Sequence, residues 1–169
     1  MDAATLLPVL TVDPYLGQDS ADLYDALSNL VRVYQFRDRD RICCYDVSVT
    51  QCYALEGLVR RGGMTLNELA AHLFLDKSTA SRVVDALERK GYVARTPHPK
   101  DRRAVLLEAT QTGRALENRI REEILEEEQK LLADFPHEVR RAMTELLTRL
   151  GRAANSRVEV GGGSCCRLP

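Results

Sequence analysis

The chain has no long uninterrupted apolar run. Its apolar start, Leu6 to Leu10, is short, is broken by Pro8 and is flanked by Asp2 and Asp13. No membrane span or export signal is expected from it, and the cytoplasm is the expected compartment. Charge of one sign is also missing in the average: 24 basic residues face 25 acidic ones, for a net of −1. Taken whole, the composition does not suggest a polyanion ligand. Catalytic signatures are absent as well. There is no phosphate loop, no HExxH and no Ser/His/Asp order, and the three histidines are scattered. No CxxC lies beside a βαβ pattern, as a thiol oxidoreductase would show. An enzyme is therefore not expected, and no obligatory cofactor is implied. No internal repeat is evident, and 169 residues suit one domain with extensions and a substantial core.

What the average hides is segregation. Between Arg60 and Arg103 ten Lys/Arg stand against five Asp/Glu, a local charge of +5 inside an otherwise acidic chain. A basic island is what a localised phosphate contact requires. Solvated helix faces explain the helical cations but not the PKDRR turn at Pro99 to Arg103.

Residues Met1 to Gln18 carry Pro8, Pro14 and Gly17 and read as an arm. Asp19 or Ser20 can cap a first helix whose apolar positions Leu23, Leu27, Leu30, Val31 and Tyr34 follow the 3.6-residue period. That helix is expected to end in the run RDRDR, Arg37 to Arg41, with ICCYDV as a connector. Ser48-x-x-Gln51 and Thr65-x-x-Glu68 are capping-box patterns for a second and a third helix. Asp76 is the expected N-cap of a fourth, and Gly91 its stop. Strands are expected at Tyr92–Arg95 and Ala104–Glu108, then a long helix from Arg114 and a shorter one starting near Pro136. The tail VEVGGGSCCRLP is expected to be flexible, because its glycines carry a high ordering cost.

The stretch from Met64 to Gly113 thus reads helix, turn, helix, strand, basic turn, strand. In a helix-turn-helix the second helix enters the major groove with its N-terminal end towards base edges. Here that end carries Lys77, Ser78, Thr79, Ser81 and Arg82, all hydrogen-bond donors and three of them also acceptors. Hydroxyls suit phosphates or bases, and an arginine can read guanine through two bonds.

The run DKSTASRVVDALERKGYVAR, then Asp101-x-Arg103, then Thr110-x-x-Gly113 resembles the multiple-antibiotic-resistance regulator (MarR) family of dimeric winged-helix transcription factors. The family usually has Leu before that Thr, where this chain has Ala109. The resemblance covers roughly Asp19 to Ala154 and implies a mainly α fold with a small β-hairpin wing. The winged helix-turn-helix would be flanked by N- and C-terminal dimerisation helices. It implies that Arg103 reaches the minor groove, that Asp101 supports the wing, and that Lys100 and Arg102 contact phosphates. The organisation expected on that basis is an arm (1–18), a dimerisation helix with the cysteine-containing connector (19–47), the DNA-binding domain (48–113), C-terminal dimerisation helices (114–155) and a cysteine-containing tail (156–169). A homodimer agrees with the residues themselves, since the terminal helices carry more apolar positions than a small winged-helix core can bury. Two recognition helices about 34 Å apart would read a pseudo-palindromic operator in double-stranded DNA.

The resemblance leaves the effector open. Cys43, Cys44 and Cys52 fall close together, and Cys165 and Cys166 follow a glycine-rich stretch. In a cytosolic protein these are thiols, metal ligands or redox groups rather than structural disulfides. Thiolate clusters select soft ions such as As(III), Sb(III) or Hg(II), whereas zinc normally takes four ligands. Oxidation of one thiolate with a neighbour to resolve it is the second reading, and a small aromatic ligand the third. Taken alone, Cys52 reads as a small buried core residue rather than a ligand. A winged-helix module for protein contact is the rival of another class, but it has no need of Arg102 and Arg103 at the hairpin tip.

Overall fold

A computed structural model describes residues 13–42, 44–99 and 104–160. Six helices and one hairpin occur in it: α1 (Leu16–Ile42), α2 (Val49–Arg61), α3 (Leu66–His72), α4 (Lys77–Arg89), β1 (Val93–Pro97), β2 (Val105–Ala109), α5 (Gln111–Leu132) and α6 (His137–Val160). This is a mainly helical fold with a winged helix-turn-helix, as the sequence pattern and the resemblance imply. The chain divides into two compact units, one up to Glu117 and one from Asn118 onward.

Short-range chemistry sets the helix starts in the first unit. The Ser48 hydroxyl accepts from the Gln51 amide at 3.2 Å while the Gln51 side chain accepts from the Ser48 amide at 3.2 Å. Thr65 and Glu68 repeat the exchange at the start of α3, at 3.3 and 2.7 Å. Each reciprocal pair satisfies two of the amides that a helix start leaves unbonded. Asp76 caps α4 through the Thr79 amide at 2.9 Å. Gly91, at φ 75°, supplies the left-handed residue that lets the chain leave α4 and enter β1.

The core of this unit gathers Ile42 from α1, Leu55 and Leu58 from α2, Leu69 from α3, Val84 and Leu87 from α4 and Leu107 from β2, all under 2% exposed or close to it. β1 and β2 pair antiparallel, with Val93 opposite Ala109 and Pro97 opposite Val105. Met64 adds a bridge on the outer side of β2, its amide and carbonyl both bonding Leu107 at 3.0 and 2.7 Å. An isolated hairpin is marginal in water; this one is anchored by that bridge and by buried Leu107.

Several elements differ from the sequence expectation. α1 begins at Leu16, ahead of Asp19 and Ser20, because Asp13 takes the start: its carboxylate accepts from the Tyr15 amide at 3.0 Å. The Ser20 hydroxyl instead donates to the Leu16 carbonyl at 2.6 Å. The helix also runs through Arg37–Arg41 to Ile42, which is only 1% exposed and anchors the last turn. Arg37 lies 4.0 Å over the Tyr34 ring and Arg39 4.8 Å over Phe36, so two of the cations are held at helical spacing. The strands sit one to two residues later than expected, α5 starts three residues earlier, and α6 is the longer of the last two helices, continuing through Val160. The first three residues of the expected flexible tail are thus helical.

Phe74 lies in the turn between α3 and α4 at φ 53° and is 72% exposed. In the second unit, α6 leaves Val139, Met143, Leu146 and Leu147 exposed along one stripe. α1 in the first unit likewise exposes Leu23, Tyr24, Leu30 and Val31.

Candidate nucleic-acid interface

The exposed end of α4 is ordered by one carboxylate. Asp76 accepts from the Ser78 hydroxyl at 2.6 Å, the Thr79 hydroxyl at 2.7 Å and the Thr79 amide at 2.9 Å. Those bonds, led by Ser78 and then Thr79, hold its carboxyl well below the usual range, so it is ionised at any working pH. The Thr79 oxygen in turn accepts from Arg82 Nη2 at 3.2 Å. Lys77, Ser78 and Arg82 are exposed, while Thr79 and Ser81 are half-buried.

This corrects one part of the sequence reading. The hydroxyl protons of Ser78 and Thr79 are committed to Asp76, so these two residues offer acceptor lone pairs outward rather than donors. Donation to a phosphate or base from this helix end falls to Lys77, Ser81 and Arg82. The five residues are brought together on one helix end as expected.

The wing lies beside this helix through contacts that sequence spacing did not single out. Arg95 on β1 bonds Asp85 at 2.6 Å and also pairs with Glu88, both on α4. The hydrogen bond that Arg95 donates to Asp85, reinforced by both negative charges, raises the Arg95 pKa. Across the strands, the Thr96 hydroxyl donates to Glu108 at 2.9 Å. The stem closes where the His98 amide bonds the Ala104 carbonyl at 3.1 Å. Lys100, Asp101, Arg102 and Arg103, which follow in the sequence, lie outside the described residues.

Just past its other end, α4 is followed by residues bonded to the connector, to α2 and to Thr110. The Tyr92 hydroxyl donates to the Asp46 carboxylate at 2.8 Å, which raises the phenol's pKa. Lys90 donates to Gln51 Oε1 at 3.1 Å and to the Asp46 carbonyl. The Thr110 hydroxyl donates to the Gly91 carbonyl at 2.7 Å and accepts from the Gly113 amide at 3.0 Å. A Cβ at Gly113 would stand 2.1 Å from the Tyr92 carbonyl oxygen, so only glycine fits there.

A family model described as MarR family matches residues 45–104, the stretch from the connector to the wing. The chain is 32% identical over 149 residues to the HTH-type transcriptional regulator PecS of Dickeya dadantii, covering 85% of this chain and 84% of that protein. The chain belongs to the MarR family. Among solved structures it is similar to a MarR family protein from Bacillus stearothermophilus, with TM-score 0.75, 24% identity and coverage of 82% and 97% of the two chains. It is also similar in fold to Streptococcus pneumoniae FabT in complex with DNA, with TM-score 0.72, 19% identity and coverage of 81% and 98%. Membership accounts for the element order and for the wing. It does not assign the contacts of Arg95, Lys90 or Tyr92.

Of the cysteines, Cys44 is exposed in the connector and Cys52 is buried in the first turn of α2, and neither is in a disulfide. Cys43, Cys165 and Cys166 lie outside the described residues. Among the described residues no three His, Cys, Asp or Glu side chains stand together to hold a metal. No described helix is long and apolar enough to cross a membrane.

Proposed function

We propose that this MarR-family regulator is a cytoplasmic homodimer that represses transcription by binding a pseudo-palindromic operator and leaves it when an effector binds. The observation that carries DNA reading is the ordered end of α4. Asp76 fixes Ser78 and Thr79, and Lys77 and Arg82 stand exposed beside them. Pre-ordered side chains lose less freedom when a duplex arrives. Lys100, Arg102 and Arg103 supply the cations of the wing, Arg103 reaching the minor groove and Asp101 supporting the turn. The exposed apolar stripes of α1 and of α6 support the dimer, since single chains seldom leave such continuous faces in water.

For the effector, our reading is a soft metal or metalloid, As(III), Sb(III) or Hg(II), taken by the thiolates of Cys43, Cys44 and Cys52, with Cys165 and Cys166 as further donors. Position supports it: Cys44 is exposed in the connector, and Cys52 lies in the first turn of the next helix. A second reading is favoured by the contrast between those two thiols. An exposed Cys44 next to Cys43 suits oxidation by peroxide, with the buried Cys52 as a core residue.

The test is a titration of fluorescent duplex DNA, selected by the protein from a random pool, in reducing buffer with and without arsenite. Arsenite should release wild-type protein and leave Cys52→Ser bound, and the response should strengthen from mildly acidic to neutral pH because thiolates must form. Equal responses from both proteins, or none, would exclude these thiols as a metalloid site. Release by peroxide alone would favour oxidation.

A further inference from the structure

The two ends of α4 differ in kind. The end that carries the exposed Lys77 and Arg82 rests on the core through Ala80 and, among the described residues, makes no hydrogen bond to another element, whereas residues 90–92 are tied by hydrogen bonds to three other elements. Tyr92 and Lys90 both reach Asp46, some 44 to 46 residues earlier, in the connector between α1 and α2. Lys90 also reaches Gln51, whose side chain is at the same time the capping group for Ser48. Thr110 and Gly113 close the node from the side of β2 and α5.

The connector has little slack to absorb a disturbance. The Tyr45 amide bonds the Ile42 carbonyl at 2.9 Å, Ile42 and Val47 are buried, and the capping box fixes Ser48. Asp46 lies within this tight turn, two residues from the exposed Cys44. A thirteen-residue helix at about 1.5 Å per residue is about 20 Å long. A tilt of about 5° about its tied end therefore moves the reading end by about 1.7 Å. Hydrogen bonds hold over a window of about 0.5 Å, so such a tilt is enough to break base contacts.

We propose that Asp46, acting through Tyr92 and Lys90, couples the α1–α2 connector to the position of the recognition helix. These three are positioning residues for operator reading. The proposal rests on the DNA-binding part of the function above and is independent of what the natural effector is. It makes the connector a place where a modification is converted into a change of DNA affinity.

The test uses the full chain with Cys43→Ser, Cys165→Ser and Cys166→Ser as parent, alkylated with N-ethylmaleimide. The Cys44 sulfur bonds one alkene carbon and the thiol proton passes to the other; mass spectrometry checks for a single adduct, Cys52 being buried. Affinity is measured for the selected duplex and for an unrelated duplex. Alkylation should weaken binding to the selected duplex about tenfold, and Tyr92→Phe alone should weaken it about five- to tenfold. Together they should cost no more than about tenfold, because both act by releasing the same contact; independent effects would multiply to 50-fold or more. Asp46→Ala should behave like Tyr92→Phe. Asp46→Asn, whose amide oxygen still accepts from the phenol, should keep both the affinity and the response. Binding to the unrelated duplex should not change in any of these proteins.

Multiplying effects would overturn the proposal, as would an adduct without consequence or an Asp46→Asn indistinguishable from Asp46→Ala. So would a parallel loss on the unrelated duplex. A protein that prefers no sequence at all defeats the DNA reading itself. One that passes these tests but ignores arsenite defeats only the effector.

Discussion

Replacing Arg95 with Met removes the clamp between the wing and α4 while keeping most of the side chain's bulk. The guanidinium pairs with Asp85 and Glu88, and the three side chains are 35%, 43% and 38% exposed. Water screens pairs of that exposure, so each contributes about 0.2–1 kcal/mol, and both together about 1 kcal/mol. For a chain of this size that is a fall of about 2–4 °C in Tm. The effect on DNA is of similar size but different origin. Without Arg95 the hairpin must be ordered on binding, and two uncompensated carboxylates remain on the helix proposed to meet the phosphates. A loss of about 1 kcal/mol is about fivefold in Kd. The salt dependence discriminates the cause. Arg95 is engaged with carboxylates rather than phosphates, so the slope of log K against log salt should not change. Arg103→Ala, removing a cation that the family resemblance places in the groove, should lower that slope by about one unit. Thermal melts and anisotropy titrations over a salt series measure all of this. An Arg95→Met protein with unchanged Tm and affinity would refute the clamp, and a slope reduced by one unit would make Arg95 a phosphate ligand instead.

Two further outcomes follow from burial and assembly. Ending the chain after Phe135 deletes the exposed stripe Val139, Met143, Leu146 and Leu147; sedimentation should show monomers. Operator affinity should fall by far more than one contact explains, because linked half-sites gain from effective concentration, and a truncated dimer would place the interface elsewhere. His72 packs so closely on α2 that a Cβ at Gly57 would lie 2.6 Å from its ring, and burial, aided by Arg61, lowers its pKa below the ordinary value of 6.5. The unfolded chain then binds the proton more readily. The contribution is complete above about pH 6.5 and is lost as pH falls through the lower folded value. Urea midpoints between pH 7.5 and 5 should decline for wild type and less for His72→Gln, and parallel curves would contradict this.

The helix starts of the DNA-binding unit could be read from sequence because capping is local. Ser48 with Gln51, Thr65 with Glu68 and Asp76 with Thr79 are each three residues apart, and a rule of that range needs no knowledge of the fold. The order of elements was legible for the same reason, with Gly91 marking the exit from α4. The start and end of α1 were not. Asp13 competes for the start, and buried Ile42 carries the helix through a charged run that by itself gives no sign of a partner. The hydroxyls of Ser78 and Thr79 looked outward in a helical projection, but Asp76, which the same sequence reading made the cap, takes their protons. The contacts of Asp46 with Tyr92 and of Arg95 with two carboxylates depend on how the helices and wing pack. No motif announces them.

The distribution of ties along α4 makes this helix divisible. Among the described residues, the hydrogen bonds to the connector, to Thr110 and to α2 fall on Lys90, Gly91 and Tyr92 just past the helix and the ion pairs with the wing on Asp85 and Glu88, while Ala80, Val84 and Leu87 seat the helix in the core. The residues that would face a duplex lie in the first two turns, ahead of these hydrogen bonds and ion pairs. Inherited change in operator preference can therefore accumulate at the exposed positions Lys77, Ser78 and Arg82 without disturbing the mounting, provided the buried Ala80 between them is kept. A transplant of that short segment from a relative would carry its sequence preference onto this scaffold, provided Asp76 comes with it.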